Sequence, residues 1–387
     1  MTPAARISAC IEILDRIQQG QPAEQVLTRW ARGNRYAGSR DRAAIRDLVF
    51  DVLRKRRSCA AIGGGDSGRA LMIGLLRQQG RDPEELFTGA RHAPPPLSQA
   101  EKIARGAGGV ARPVRLDYPD WLDDALAASL ADDLEPVMEC LRHRAPVFAR
   151  VNWRKATLDT AITALAEDGI AGVSHPLARS ALEIVENARA VGRSRAYRDG
   201  MIELQDAASQ AVVEFLDIPQ DGRILDYCAG GGGKSLAMAA LTEAEILAHD
   251  AAPRRMHDLP LRAARAGVRI ATVSDPARAG DYGLVLVDAP CSGSGAWRRS
   301  PAGKWALTAE RLAELVDLQA RILDEAAPLV APGGVLAYVT CSILRVENQT
   351  QIAAFVGRNS GFELVRERQF TPLDGGDGLF VAICKRI

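Results

Sequence analysis

Apolar residues over the first 115 or so positions recur at helical spacing. Ile7, Ile11 and Leu14 fall at i, i+4 and i+7, and Ile45, Leu48, Val49, Val52 and Leu53 at i, i+3, i+4, i+7 and i+8, each set lining one face of a helix. A proline- and glycine-rich stretch, Ala93 to Pro119, reads as a linker. Next come a helical piece, Trp121 to Leu141, the strand-like "PVFARVN", a helix over Leu158 to Asp168, and the strand-like "ALEIV". Together they suit a small α/β unit. Beyond residue 206 the pattern changes to short runs that are apolar almost throughout: "RILDYC", "EILAHD", "RIATVS", "YGLVLVDAP", "GVLAYVTCS", "FELVRE" and "GLFVAICKRI". Helices are expected after the first, second, fourth and fifth, the clearest from Thr308 to Val330 with Leu315, Leu318, Ile322 and Leu329 on one face. Strands without a polar face, separated by helices, require a parallel sheet covered on both sides. The expected class is therefore α/β with a doubly wound, Rossmann-like carboxyl-terminal domain (residues 206–387), preceded by an all-α domain (1–118) and the small α/β subdomain (119–205).

Composition changes this picture little. With 47 % hydrophobic and 25 % charged residues and a net charge of +1, the chain is an ordinary globular one with no whole-molecule field to attract nucleic acid. Charge is lopsided locally. Arg29 to Arg57 holds ten Lys or Arg against Asp41, Asp47 and Asp51, beside Trp30 and Tyr36. That run is either a solvated helix face or a surface for nucleic acid, whose phosphates want cations and whose bases want rings. A second basic group, Arg142, His143, Arg144, Arg150, Arg154 and Lys155, has no acid between its members. Seven scattered cysteines without a C-x-x-C pair give no support for a disulfide framework or a zinc site. The amino terminus lacks the uninterrupted apolar core of a signal peptide, and no apolar run reaches the roughly 20 residues of a membrane span. Cytoplasm is the expected compartment, with no membrane and no metal.

Chemistry concentrates in "ILDYCAGGGGKSLAMAA", Ile224 to Ala240. A phosphate loop would need glycine where Cys228 stands, and a dinucleotide loop would need it at Ser235. Asp226, at the end of the first strand, would also repel phosphate. S-adenosylmethionine suits the turn better, since its sulfonium is cationic, its ribose diol accepts a carboxylate partner and its amino acid end can rest on backbone amides. A tight turn packing strand against helix is the plainer alternative. Ligands of open parallel sheets bind at the carboxyl ends of the strands, and here those ends carry Asp226, Asp250, Asp275, Asp288 with Cys291, and Thr340 with Cys341. Asp250 is spaced to reach a ribose diol and Asp275 to meet an adenine amino group. Cys228 and Cys384 read as inert, whereas Cys291 and Cys341 each end a strand on the ligand rim. A thiolate there can add to carbon 6 of a pyrimidine and make carbon 5 nucleophilic enough to take a methyl group.

At these residues the chain resembles the RNA cytosine-carbon-5 methyltransferase family. "DYCAGGGGKS" looks like its cofactor loop, "DAPCSGSGAWRRSPAGKW" like its cysteine-bearing fourth motif, "YVTCSILRVENQ" like its sixth, and "IELQDAASQ" like the lead-in to its catalytic domain. The family more often has Ala-Pro where this chain has Gly230-Gly231. "AGSRDRAAIRDLVFDVLRKRRS" resembles the NusB-like helical domain of the bacterial RsmB-type branch, which modifies 16S ribosomal RNA, and the middle unit is similar to that branch's small RNA-binding subdomain. The resemblance implies that Cys341 is the nucleophile and that Cys291 helps release the product. It implies further that Cys228, Ala229, Gly230, Gly231, Gly232, Gly233 and Lys234, with Asp250, Asp275 and Asp288, hold S-adenosylmethionine, and that the partner is RNA, 16S rRNA being expected. Trp297, Arg298, Arg299, Lys304 and Trp305 are either an RNA grip or ordinary loop residues. Set against an enzyme are two readings: a catalytically inactive RNA-binding or ribosome-assembly factor on the same fold, and an ATPase, which the loop spacing disfavours.

Overall fold

The computed structural model describes residues 1–103 and 109–387; part of the expected linker, residues 104–108, lies outside them. The chain gathers into two compact units, one formed by residues 1–127, 131–144 and 297–306, the other by 128–130, 145–296 and 307–387.

The first unit is helical. Its principal helices are α1 (Pro3–Gln18), α2 (Ala23–Gly33), α3 (Ser39–Arg54), α4 (Arg56–Gly63) and α5 (Gly68–Gln78). Thr2 opens α1 by accepting from the Ala5 amide at 3.1 Å, and Ser67 opens α5 in the same way through Ala70. The apolar stripes read from the sequence form the core: Ile7, Leu14, Ile45, Val49, Val52 and Leu53 are all buried, together with Trp30. At about 1.5–3 kcal/mol for each fully buried aliphatic side chain, this core rather than intrinsic helix propensity holds the helices. The segment 297–306 packs into the same unit. Trp297 and Lys304 are buried, the Trp305 indole N–H donates to the Leu53 carbonyl at 2.6 Å, and the Lys304 ammonium to the Arg54 carbonyl at 3.1 Å. Arg54 in turn donates to the Arg298 carbonyl at 2.7 Å. For Trp297, Arg298 and Lys304 the structural role is therefore the one observed; only Arg299 of the basic group is exposed.

The second unit carries two sheets. The smaller is antiparallel, built from β1 (Val147–Val151), β2 (Ala171–Ser174), β3 (Ala181–Glu186) and β4 (Ile202–Leu204) in the order β2-β3-β1-β4. The larger has seven strands, β5 (Arg223–Asp226), β6 (Glu245–Ala248), β7 (Ala271–Thr272), β8 (Tyr282–Asp288), β9 (Val330–Thr340), β10 (Phe362–Phe370) and β11 (Leu379–Arg386), in the order β10-β11-β9-β8-β5-β6-β7. All seven coincide with the apolar runs of the sequence. In β8, Leu284 and Leu286 face the layer of Val212, Val213 and Met238, while Val285 and Val287 face Ile322, Leu323 and Phe355 of the helices on the other side. Burial of both faces is what a doubly wound sheet requires.

One expectation is corrected. The sheet is parallel only from β9 to β7; β11 runs antiparallel to both β9 and β10. The eight residues from Thr371 to Gly378 that join β10 to β11 are too few for a crossover, which takes a dozen or more. The short run Ile202–Leu204, at the start of the segment similar to the lead-in to the catalytic domain, forms the edge strand β4 of the smaller sheet.

Candidate active site

Parallel pairing sets Asp226 of β5 level with Leu286 of β8, and Asp288 of β8 level with Val339 of β9. The carboxyl ends of these strands therefore open on one edge, where the sequence has its acids and cysteines. Cys291 follows β8 and Cys341 follows β9 directly, and their sulfurs stand 3.4 Å apart. The turn after β8 comes close to the chain after β9 and to the residue just before β11: Gly295 donates to the Cys341 carbonyl at 3.0 Å and accepts from the Gly378 amide at 2.9 Å. A Cβ at Gly295 would sit 1.9 Å from the Gly378 oxygen, so no side chain fits there.

Both cysteine turns are fastened to one buried carboxylate that the sequence reading had not singled out. Glu347 accepts from the Ser292 amide at 2.8 Å, from the Ser292 and Ser342 hydroxyls at 2.5 Å each, and from the Gln319 amide group at 3.0 Å. Ser292 and Ser342 are the residues immediately after the two cysteines, so a single anion fixes the spacing of the thiols. Asn348 adds to this knot, accepting from the Thr340 hydroxyl at 2.6 Å and donating to the Ser342 carbonyl at 2.9 Å. The signal was present in the "VENQ" of the sixth motif, but a buried acid there becomes legible only once both serines are seen to point at it. Hydrogen bonding to Cys341 and burial hold the Cys291 thiol well above its ordinary pKa, keeping its proton on.

The glycine turn lies next to the thiols. Lys234 reaches across to Asp288 at 2.6 Å. Burial alone would lower the lysine pKa, but the charge and hydrogen bond of Asp288 outweigh it and leave the ammonium above its usual value. Asp250 accepts from the Gly230 amide and the Ala252 amide at 2.8 Å each and pairs with Arg255 at 3.1 Å. Asp226 accepts from the Ser235 hydroxyl at 2.6 Å, while its other oxygen is buried without a partner, and burial pushes its pKa up to about 7. Cys228, half-buried, has its thiol pKa raised chiefly by burial, as an inert cysteine would. Asp275 stands apart from this group. It is exposed on the outer strand end, accepting from Ala277 at 3.2 Å and pairing with Arg278 at 3.0 Å.

Three arginines brace the turn from behind, another feature that spacing alone did not reveal. Arg262 donates to the Gly231 carbonyl, Arg150 of β1 donates to the Gly233 carbonyl at 3.0 Å, and Arg255 lies against Gly230. A Cβ at Gly230, whose φ is +54°, would meet the Arg255 guanidinium at 3.0 Å, and one at Gly231 would meet Arg262 at 3.2 Å. The Gly-Gly pair thus leaves the space that the arginines fill. Glu203 of β4 holds this group in place, pairing with Arg265 at 2.6 Å and Arg262 at 3.4 Å.

The donor set suits a cationic ligand bearing a diol. Asp226, Asp250 and Asp288 gather at these strand ends with one lysine, itself paired, and Asp226 keeps a buried oxygen without a partner. Among the described residues no group of three or more His, Cys, Asp or Glu could hold a metal ion, and no helix is long and apolar enough to cross a membrane.

Residues 213–379 match the family model described as 16S rRNA methyltransferase RsmB/F, and residues 118–191 the RsmF/B-like ferredoxin-like domain. The chain is 31 % identical over 331 residues to the ribosomal RNA small subunit methyltransferase B of Serratia proteamaculans, covering 81 % of this chain and 72 % of that protein. It is 34 % identical over 282 residues to the same-named protein of Erwinia tasmaniensis, covering 68 % of this chain and about 65 % of the relative's length. Among solved structures, a methyltransferase homolog protein from Pyrococcus horikoshii superposes with TM-score 0.62 at 23 % identity, covering 71 % of this chain and 97 % of that one. NSun6 from the same organism, with SFG, gives TM-score 0.62 at 17 % identity over 69 % and 98 %. These two likenesses bear on the fold alone.

Proposed function

Because the chain belongs to the 16S rRNA methyltransferase RsmB/F family, we propose that it transfers a methyl group from S-adenosylmethionine to carbon 5 of a cytosine in RNA, 16S rRNA being the substrate. The observation that carries this reading is the pair of sulfurs 3.4 Å apart at the tips of adjacent parallel strands, beside the glycine turn and its acids. S-adenosylmethionine supplies an electrophilic methyl group on a sulfonium. Asp250 would hold its ribose diol and Asp275 its adenine amino group, while the turn from Cys228 to Lys234 cradles the rest.

Cys341 attacks as the thiolate, forming a sulfur–carbon 6 bond and placing an electron pair on carbon 5. That pair would take the methyl group, for which S-adenosylmethionine, when bound, supplies the thioether leaving group. Transfer of the carbon 5 proton to water would then re-form the carbon 5–carbon 6 double bond and expel Cys341 as thiolate. Cys291, adjacent to Cys341, assists this last step. Asp288, paired with Lys234 at 2.6 Å, would serve both the cofactor and the cytosine ring. The cytosine reaches the thiols only out of its stack, at a cost of a few kcal/mol that is least in single-stranded RNA.

The test is a pair of substitutions assayed with labelled cofactor and RNA. Cys341→Ala is expected to abolish transfer. Cys291→Ala is expected to leave RNA covalently attached, visible as a slow band on a denaturing gel. The reverse pattern would exchange the two roles, and absence of any transfer by the unaltered protein would favour an RNA-binding assembly factor.

A further inference from the structure

The helical unit carries an open cavity of about 730 Å³ lined by Ala5, Ala9, Glu12, Trp30, Tyr36 and Arg91 among others. We propose that this cavity is a binding site for an unstacked base of single-stranded RNA, with Arg91 of its wall and other exposed arginines of the helical unit holding the flanking phosphates. The inference rests on the proposed RNA substrate and adds to it a contact site on the helical unit.

Three observations carry it. The first is Tyr36, 72 % exposed at the cavity mouth, whose hydroxyl has no partner among the described residues. An aromatic ring presented to solvent over an apolar hollow is a stacking platform, and stacking is indifferent to base identity because every base has a π-face. The second is the imbalance of charge. Arg32, Arg35, Arg40 and Arg91 are exposed and form no ion pair among the described residues. The acids nearby are engaged elsewhere: Asp41 with Arg6 at 2.8 Å and with the terminal amine at 3.1 Å, Glu12 with Arg16 at 2.7 Å, and Glu24 with Arg46 at 2.5 Å. Cations left over after local pairing suit an anionic chain. The third is the cavity wall. The Ser8 hydroxyl donates to the His92 carbonyl at 3.0 Å, tying the Arg91–His92 turn to α1. A flat apolar ring together with anionic groups is the chemistry of a nucleotide, and a base is free to enter only where the strand is unpaired.

Fluorescence anisotropy with the full chain and a labelled single-stranded RNA of about 10 nucleotides tests this, against an abasic strand of the same length. Tyr36→Ala is expected to weaken binding to the RNA on the order of 10-fold and to leave the abasic strand unaffected. Arg91→Gln is expected to weaken both and to make the slope of log K against log salt shallower by roughly 0.7. Tyr36 is exposed, so its loss does not disturb the core. If Tyr36→Ala keeps RNA affinity within twofold, or if the abasic strand binds the unaltered protein as tightly as RNA does, the inference is overturned. Methyl transfer measured on the same samples separates the two readings. Transfer with a neutral Tyr36→Ala sinks the base site alone, and Tyr36-dependent binding without transfer by the unaltered protein sinks the methyltransferase reading alone.

Discussion

At the scale of single residues, the site is governed by which acids are satisfied. Glu347, Asp250 and Asp288 each have several donors or a full cation partner, whereas Asp226 has only the Ser235 hydroxyl and one bare oxygen. Burial therefore favours its neutral form, with a pKa of about 7 against about 3.9 in an unfolded chain. Between those values the folded protein keeps a proton that the unfolded chain has released, so folding stability falls as pH rises from 4 to 7 and is flat above. The effect is on the order of 2–4 kcal/mol for a shift of this size, allowing for relaxation around the charge. Asp226→Asn removes the titration. In thermal denaturation of both proteins between pH 5 and pH 8, the wild type is expected to lose several degrees relative to the variant. Parallel profiles would show that Asp226 ionises normally in the fold. A cationic ligand facing the bare oxygen would supply what the fold withholds, which gives this carboxylate a reason to be kept.

At the scale of elements, the strands were legible and their supports were not. A run such as "YGLVLVDAP" announces a strand buried on both faces because nothing polar interrupts it, and the closeness of Cys291 and Cys341 to strand ends is enough to put both thiols on one edge of a parallel sheet. The antiparallel β11 escaped because an apolar run carries no sign of its direction; only the length of the preceding loop does. The Arg150, Arg255 and Arg262 brace escaped because arginines in α/β text look like solvated surface until their acceptors are known. The helix Leu259–Ala266 delivers Arg262 and Arg265, three positions apart on one face, to Gly231 and Glu203. Arg262→Ala is expected to loosen the turn and weaken S-adenosylmethionine binding about 3- to 10-fold by calorimetry, as loss of one hydrogen bond to a charged donor implies. Glu203→Gln should act in the same direction, since it frees the arginines. Unchanged affinity in both variants would make the brace a packing feature with no hold on the cofactor.

At the scale of the whole molecule, the boundary drawn from sequence at residue 118 meets a complication in where the chain travels. Residues 297–306, only six positions past Cys291, are folded into the helical unit, with Trp305 and Lys304 bonded to carbonyls at the end of α3. Lys304 is fully buried and its pKa is drawn down to about 8 by that burial, with Asp117 opposing. Removing residues 1–115 would therefore not subtract a self-contained module. It would strip Trp297, Lys304 and Trp305 of their surroundings and leave a buried-type segment in water six positions past Cys291. The truncated chain is expected to melt at lower temperature, to be cut by protease within 297–306, and to lose methyl transfer although both cysteines remain. Tyr36→Ala, at an exposed ring, should leave melting temperature and protease resistance unchanged, which separates loss of packing from loss of an RNA contact. A truncated protein that resists cleavage there and still transfers methyl groups would show that the segment needs nothing from the helices, and that α3 merely happens to accept its hydrogen bonds.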